Sequence, residues 1–357
     1  MPWKKVCLVQ IKKRFFSYEK RFVLGLTQVY MVFCVVLAHC LRGYMFLGGI
    51  NQPFFNFLCI ILMPTFFFVS GMFSQMKDRD IFKIKFLCVL ETYIVFQLIR
   101  AVPPMLISGK ITLMSIAHVI EYPCFTLWYL LSLFYMRLMI YYLPEKFLRD
   151  NPKRIVFACF LISLLGGFIP VGHQFSFQRT MTYLPFFFIG YYCVNIEVKK
   201  YIAKIPSILA VGVCVSAFLL FYILLNRNLD FIVMGKSSYW FNAEYSPLLL
   251  CFSRFVFLVS AIIVGSMVMR LVMIKPLFTE WGKITLFIYI YHSFLIQAFR
   301  FALSHNYLPQ NEWICFAMSV IITIVLLFLL KIKFLNILLT PVSYIKEQIE
   351  IKRQREL

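Results

Sequence analysis

Two polar residues, Gln28 and His39, interrupt the otherwise apolar run at residues 22 to 44, FVLGLTQVYMVFCVVLAHCLRGY. Eleven residues make three α-helical turns to within roughly 20°, so both side chains fall on one helix face, about 16 Å apart along the axis. The amide offers hydrogen bonds, and a neutral imidazole, with an unperturbed pKa of about 6.5, can take a proton from a hydroxyl. Neither group belongs in hydrocarbon, so their shared face must look onto a bundle interior or a wet cavity. The plain alternative for His39 is a hydrogen bond to a neighbouring helix that serves packing alone.

Other polar groups recur inside apolar runs: Glu91, Gln97, Arg100, Arg137, Arg254, His292 and Gln297. Each charged one costs about 2.5 to 3.5 kcal/mol at mid-bilayer on insertion scales, so pairing or hydration is expected. Glu91 with an arginine is the obvious pair. Arg137, where a run leaves the apolar zone, is expected to snorkel. His118, His173 and His305 fall in loops or at run ends, where an ordinary solvated imidazole is expected.

The chain that must position these groups is built for a bilayer. Its 357 residues are 62% hydrophobic and 14% charged, whereas a soluble domain is nearer half apolar and a quarter charged. The fold class is therefore all-α, a polytopic membrane helix bundle. About ten runs are long enough to count as spans, near 22–44, 53–74, 86–108, 124–144, 155–172, 181–197, 206–225, 247–269, 284–303 and 312–330. The net charge of +21 lies in short segments between those runs, which argues against a nucleic-acid partner. With the amino terminus inside, 27 of the 36 lysines and arginines fall on inner segments and six on the alternate loops. That alternation places both termini in the cytoplasm. Residues 1–21 are a basic segment without a cleavable signal peptide, 22–335 the transmembrane domain and 336–357 a basic tail. The outer loop at about 226–246, with Asp230, Lys236 and Trp240, could cover an outward-facing cavity. The eleven cysteines have no CxxC and no Cys/His metal spacing, so no metal is expected.

Several aromatic patches are more specific than composition: VVLAH ending at His39, PTFFFVSGMFS, FKIK after it, LWYLLSLF, YLPFFFIGYY and TLFIYIYH. Through them, residues 22 to 335 resemble the acyltransferase-3 family of integral membrane O-acyltransferases, and within it the fucose 4-O-acetylase-like branch. The resemblance implies about ten spans with cytoplasmic termini, in a prokaryotic plasma membrane. It implies transfer of an acyl group, commonly acetyl from cytoplasmic acetyl-CoA, to a hydroxyl of a cell-surface or lipid-linked carbohydrate. Acetyl-CoA is then a co-substrate, no cofactor is bound, and the remaining partners are the glycan or glycolipid acceptor and membrane lipids. The family pattern has Arg or Lys where this chain has Gln28, and a neutral amide offers hydrogen bonds only. Either another cation such as Arg100 supplies the charge, or the donor chemistry differs, or the chain is a degenerate, non-catalytic member.

On this reading His39 is the general base, about 25 Å from the inner end of its helix, and Gln28 accompanies it. His292 and Glu91 are acid/base or orienting groups, with His292 expected at a depth different from that of His39. Lys83 and Lys85 would meet the anionic nucleotide end of CoA, or else only set topology. Arg100, Arg179 and Trp128 would contact donor, acceptor or oxyanion. The rival reading is a transporter or flippase of a glycan intermediate. The absence of an internal repeat weakens it.

Overall fold

The computed structural model describes residues 30–43, 50–76, 78–109, 112–194, 198–224, 234–241, 244–273, 285–304 and 311–329. Among these residues every regular element is helical. The described helix of the first run, α1, is Tyr30–Arg42. It is followed by α2 (Asn51–Met72), α3 (Arg79–Ser108), α4 (Leu113–Glu121), α5 (Trp128–Tyr142), α6 (Glu145–Asp150) and α7 (Pro152–Leu165). The second half carries α8 (Phe177–Cys193), α9 (Val198–Ala203), α10 (Ser207–Leu224), α11 (Pro247–Val272), α12 (Thr285–Ser304) and α13 (Glu312–Leu329). Helices α2, α3 and α11 are long and apolar enough to cross a membrane, and Tyr30–Arg42, Ser207–Leu220 and Glu312–Phe328 are shorter apolar helices.

Local chemistry sets the helix ends. Asp78 accepts from the Ile81 N–H, Ser246 from the Leu249 N–H, and Thr112 forms a reciprocal capping box with Ser115. Pro152 and Pro247 sit in first turns, where a missing N–H costs nothing. Each apolar run of the sequence coincides with a helix where it is described, but the ends move. Helix α3 begins at Arg79, because the Asp78 cap draws the basic FKIK stretch into the helix. Helix α7 stops at Leu165, and the chain crosses to α8 through two 3-10 turns, Gly166–Phe168 and Gln174–Ser176. Helix α8 therefore starts at Phe177, and Arg179 lies in its first turn.

The core forms where α2 lies along α8. A Cβ on Gly71 would enter the carbonyl of Phe187, and one on Gly190 would enter the carbonyl of Phe68, so the two backbones touch through glycines. Phe67 stacks on Tyr183 with centroids 5.3 Å apart, extending the same seam. Large apolar side chains such as Leu113, Ile208 and Leu248 point outward, as they do when lipid is the solvent.

Among the described residues the intramembrane arginines Arg254 and Arg137 are fastened by carbonyl and hydroxyl oxygens. Arg254, fully buried, donates to the carbonyls of Ser163 (3.2 Å) and Ser237 (3.4 Å) and lies over the Tyr239 ring. It holds a strap, residues 234–241, onto the end of α7 and the 3-10 turn that follows it. Tyr239, Ser238 and Trp240 of the strap donate to the carbonyls of Leu164, Gly167 and Phe168. Arg137, expected to snorkel, instead donates to Ser74 Oγ at 3.1 Å, at the end of α2. The carbonyls and hydroxyls at helix ends give these cations a polar surround that lipid would not.

Gly71→Ala and Gly190→Ala are expected to destabilise the protein by about 1–3 kcal/mol each, as overpacking does. Thermal unfolding in detergent reads this out. Gly212→Ala, whose added Cβ meets no atom within 4 Å, should not lower the melting temperature.

Candidate functional site

Val35, Ala38, His39 and Arg42 fall at i, i+3, i+4 and i+7 on α1, one face of the helix. That face lines a cavity of about 100 Å³. The opposite walls are Phe55, Cys59, Leu62 and Met63 of α2, Phe125 and Thr126 ahead of α5, and Trp128 of α5. Arg179 and Tyr183 of α8, Tyr289 of α12 and Met234 of the strap complete them. The segment expected to cover a cavity contributes Met234 to this one, and the Met234 sulfur receives a hydrogen bond from Arg42 Nη1 at 3.5 Å.

His39 is half-buried, and its ring centroid lies 5.4 Å from that of His292. The expectation of different depths for the two histidines is thus corrected. Depth counted along a sequence assumes that every helix starts in one plane, whereas tilt and offset bring these two rings together. His292 is fully buried, with Nδ1 2.9 Å from the Ile288 carbonyl. A carbonyl only accepts, so Nδ1 carries the proton and Nε2 keeps its lone pair. That Nε2 has no hydrogen-bond partner among the described residues.

Phe125 packs against His39 at 4.7 Å between centroids, and the Arg100 guanidinium sits 5.3 Å from the same ring. Its backbone is left-handed, with φ of 40°, a conformation that an aromatic residue adopts only when its neighbours impose it. Gln97 imposes it. Its Nε2 donates to the carbonyls of Val119 (2.7 Å) and Tyr122 (2.9 Å), and its Oε1 accepts from the Cys124 N–H (2.8 Å). On the far side, Tyr289 donates its hydroxyl to the Thr126 carbonyl.

Arg100 donates to Ser293 Oγ at 2.6 Å and lies over Phe294, tying α3 to α12 behind Phe125. It is not among the cavity-lining residues, which include Arg179 and Arg42. Arg179 rests 4.4 Å above the Trp128 ring, and Trp128 stacks on Tyr183. Arg42 was not picked out from the sequence. Its spacing of three residues from His39 is the signal that would have found it. Lys83 and Lys85 are exposed near the start of α3, and Glu91 is half-buried on that helix; none of the three lines the cavity. Gln28 lies outside the described residues. Among the described residues there is no cluster of three or more metal-ligating side chains.

A model of the acyltransferase-3 family, described as an acyltransferase domain, matches residues 28–332. The chain belongs to the acyltransferase-3 family. The match spans both histidines, both lining arginines and the whole α2–α8 seam, so the site belongs to a membrane acyltransferase domain. No curated protein matches this acyltransferase, and no solved structure does.

Gln97→Ala removes three hydrogen bonds from one short segment and is expected to cost about 1–3 kcal/mol. Hydrogen exchange at residues 122–127, measured in detergent, should rise above that of the parent protein.

Proposed function

We propose that this acyltransferase is an integral membrane O-acyltransferase that moves acetyl from cytoplasmic acetyl-CoA to a hydroxyl of a cell-surface or lipid-linked carbohydrate. In this reading about ten helices cross a prokaryotic plasma membrane with both termini in the cytoplasm, as the 27 to 6 division of basic residues suggests. The observation that carries the reading is the His39 imidazole at the wall of a largely apolar cavity that two arginines also line, beside a second imidazole with a free lone pair.

His39 takes the proton of the acceptor hydroxyl as the oxygen attacks the thioester carbonyl carbon. The tetrahedral oxyanion collapses, the carbon–sulfur bond breaks, and the departing CoA thiolate takes the proton back from the imidazolium. Acetyl ester and CoA thiol are the products, and the imidazole is neutral again. His292, its tautomer fixed by the Ile288 carbonyl, orients the His39 ring and steadies its charged form. Arg179, which lines the cavity with His39, is a donor for the oxyanion, with the amide of Gln28 as a further donor. Lys83 and Lys85, exposed at the foot of α3, meet the nucleotide end of CoA.

The test is release of CoA thiol from acetyl-CoA, with acetyl ester formed on membrane glycan, by the full chain in proteoliposomes. His39→Ala should lower the rate about 10²- to 10⁴-fold, the usual worth of a general base. His292→Ala should lower it by about tenfold or more while leaving KM for acetyl-CoA near the parent value. Full activity in the His39 variant removes this mechanism, and glycan movement without CoA release makes the protein a transporter. Gln28 in place of the family cation favours one second reading, a degenerate member, for which only Gln28→Arg would show turnover.

A further inference from the structure

Two guanidinium groups, Arg42 and Arg179, line the cavity beside His39, and no carboxylate does among the described residues. They are near enough to feel each other's charge. Arg42 is met by a sulfur and by the Phe55 ring at 5.8 Å, and Arg179 by the face of Trp128. Rings and thioethers hold a cation weakly compared with an anion. Two polar atoms at the same walls are buried with no hydrogen-bond partner among the described residues: Arg179 Nε and Thr126 Oγ1. Thr126 is 2% exposed, so that hydroxyl has no bulk water to turn to. Partial burial first, and then the charges of Arg179 and Lys236, hold the His173 imidazole below its usual range.

Both guanidinium groups are half-buried, and like charges gathered at one cavity with no described carboxylate beside them gain when an anion joins them. We propose that this cavity binds a carboxylate carried by one of the two reactants. The carboxylate would bridge Arg42 and Arg179, with Thr126 as a further donor, and hold the neighbouring hydroxyl at His39. A volume of about 100 Å³ is room for a few waters, enough for an acid group and the hydroxyl beside it but not for a whole sugar ring. This rests on the acyltransferase reading for the identity of the reactants, and on the cavity alone for the anion.

The binding arm needs no turnover. The full chain in nanodiscs is titrated by calorimetry with methyl glucuronide and with methyl glucoside. Binding of the glucuronide at least about tenfold tighter, reduced to parity in Arg42→Gln and Arg179→Gln and restored in Arg179→Lys, is the expected result. The turnover arm locates the charge. Acetyl-CoA is offered with a glucuronate-containing oligosaccharide or its carboxyl-reduced form, and succinyl-CoA with the reduced form. Preference for the acidic oligosaccharide puts the carboxylate on the acceptor, and preference for succinyl-CoA over acetyl-CoA puts it on the acyl group. Equal binding of glucuronide and glucoside, or a preference that survives Arg179→Gln in protein with the parent's melting temperature, overturns the proposal. Anion binding without CoA release from any donor leaves the anion site standing and removes the acyltransferase chemistry.

Discussion

A helix bundle made of Leu, Ile, Val and Phe offers a polar side chain few partners beyond the backbone carbonyls that helices leave free at their ends. Most of the intramembrane polar groups of this chain have found such carbonyls or a hydroxyl. Gln97 closes the segment ahead of α5, Arg254 fastens the strap, and Arg137 grips the end of α2. Atoms left unsatisfied among the described residues occur at several places, Asn51 and Asn56 of α2 and Ser319 of α13 included, and some of them border the cavity. His292 Nε2, Arg179 Nε and Thr126 Oγ1 all lie at or beside the walls near His39. In a medium where an unmade hydrogen bond is expensive, those at the cavity walls are groups that a bound reactant could satisfy.

The seam between α2 and α8 sets the dimensions of this site. Two sequence patches, PTFFFVSGMFS and YLPFFFIGYY, turn out to be the two sides of one contact, in which Gly71 and Gly190 let backbone meet backbone. Because the helices approach so closely, Tyr183 stacks on both Phe67 and Trp128, and Arg179, one turn earlier on α8, lies over the indole. The cation is thus held by an aromatic face and not by a carboxylate. That arrangement keeps its charge available to the cavity.

Phe125 has the complementary task. Its ring separates Arg100 from His39 and touches both, which a residue in ordinary helical conformation at this position would not do. The left-handed backbone that permits this is a local cost, met by the three hydrogen bonds of Gln97. Arg100, for all its buried charge, works here as a tie between α3 and α12 through Ser293.

The membrane character of the chain, its all-helical class and the positions of its helices are legible in the sequence, because apolar run length and cap residues act within one helix. The sequence also singles out His39, Arg179 and Trp128. It does not separate Arg179 from Arg100, nor place His292 beside His39, nor pick out Arg42. One strand of letters carries periodicity along each helix, and that fixes which residues share a face. Which faces meet depends on tilt, rotation and axial offset between helices, set by the glycine seam and by hydrogen bonds between residues as far apart as Arg100 and Ser293. Only the tertiary structure decides those, and so only it decides which cations face the cavity.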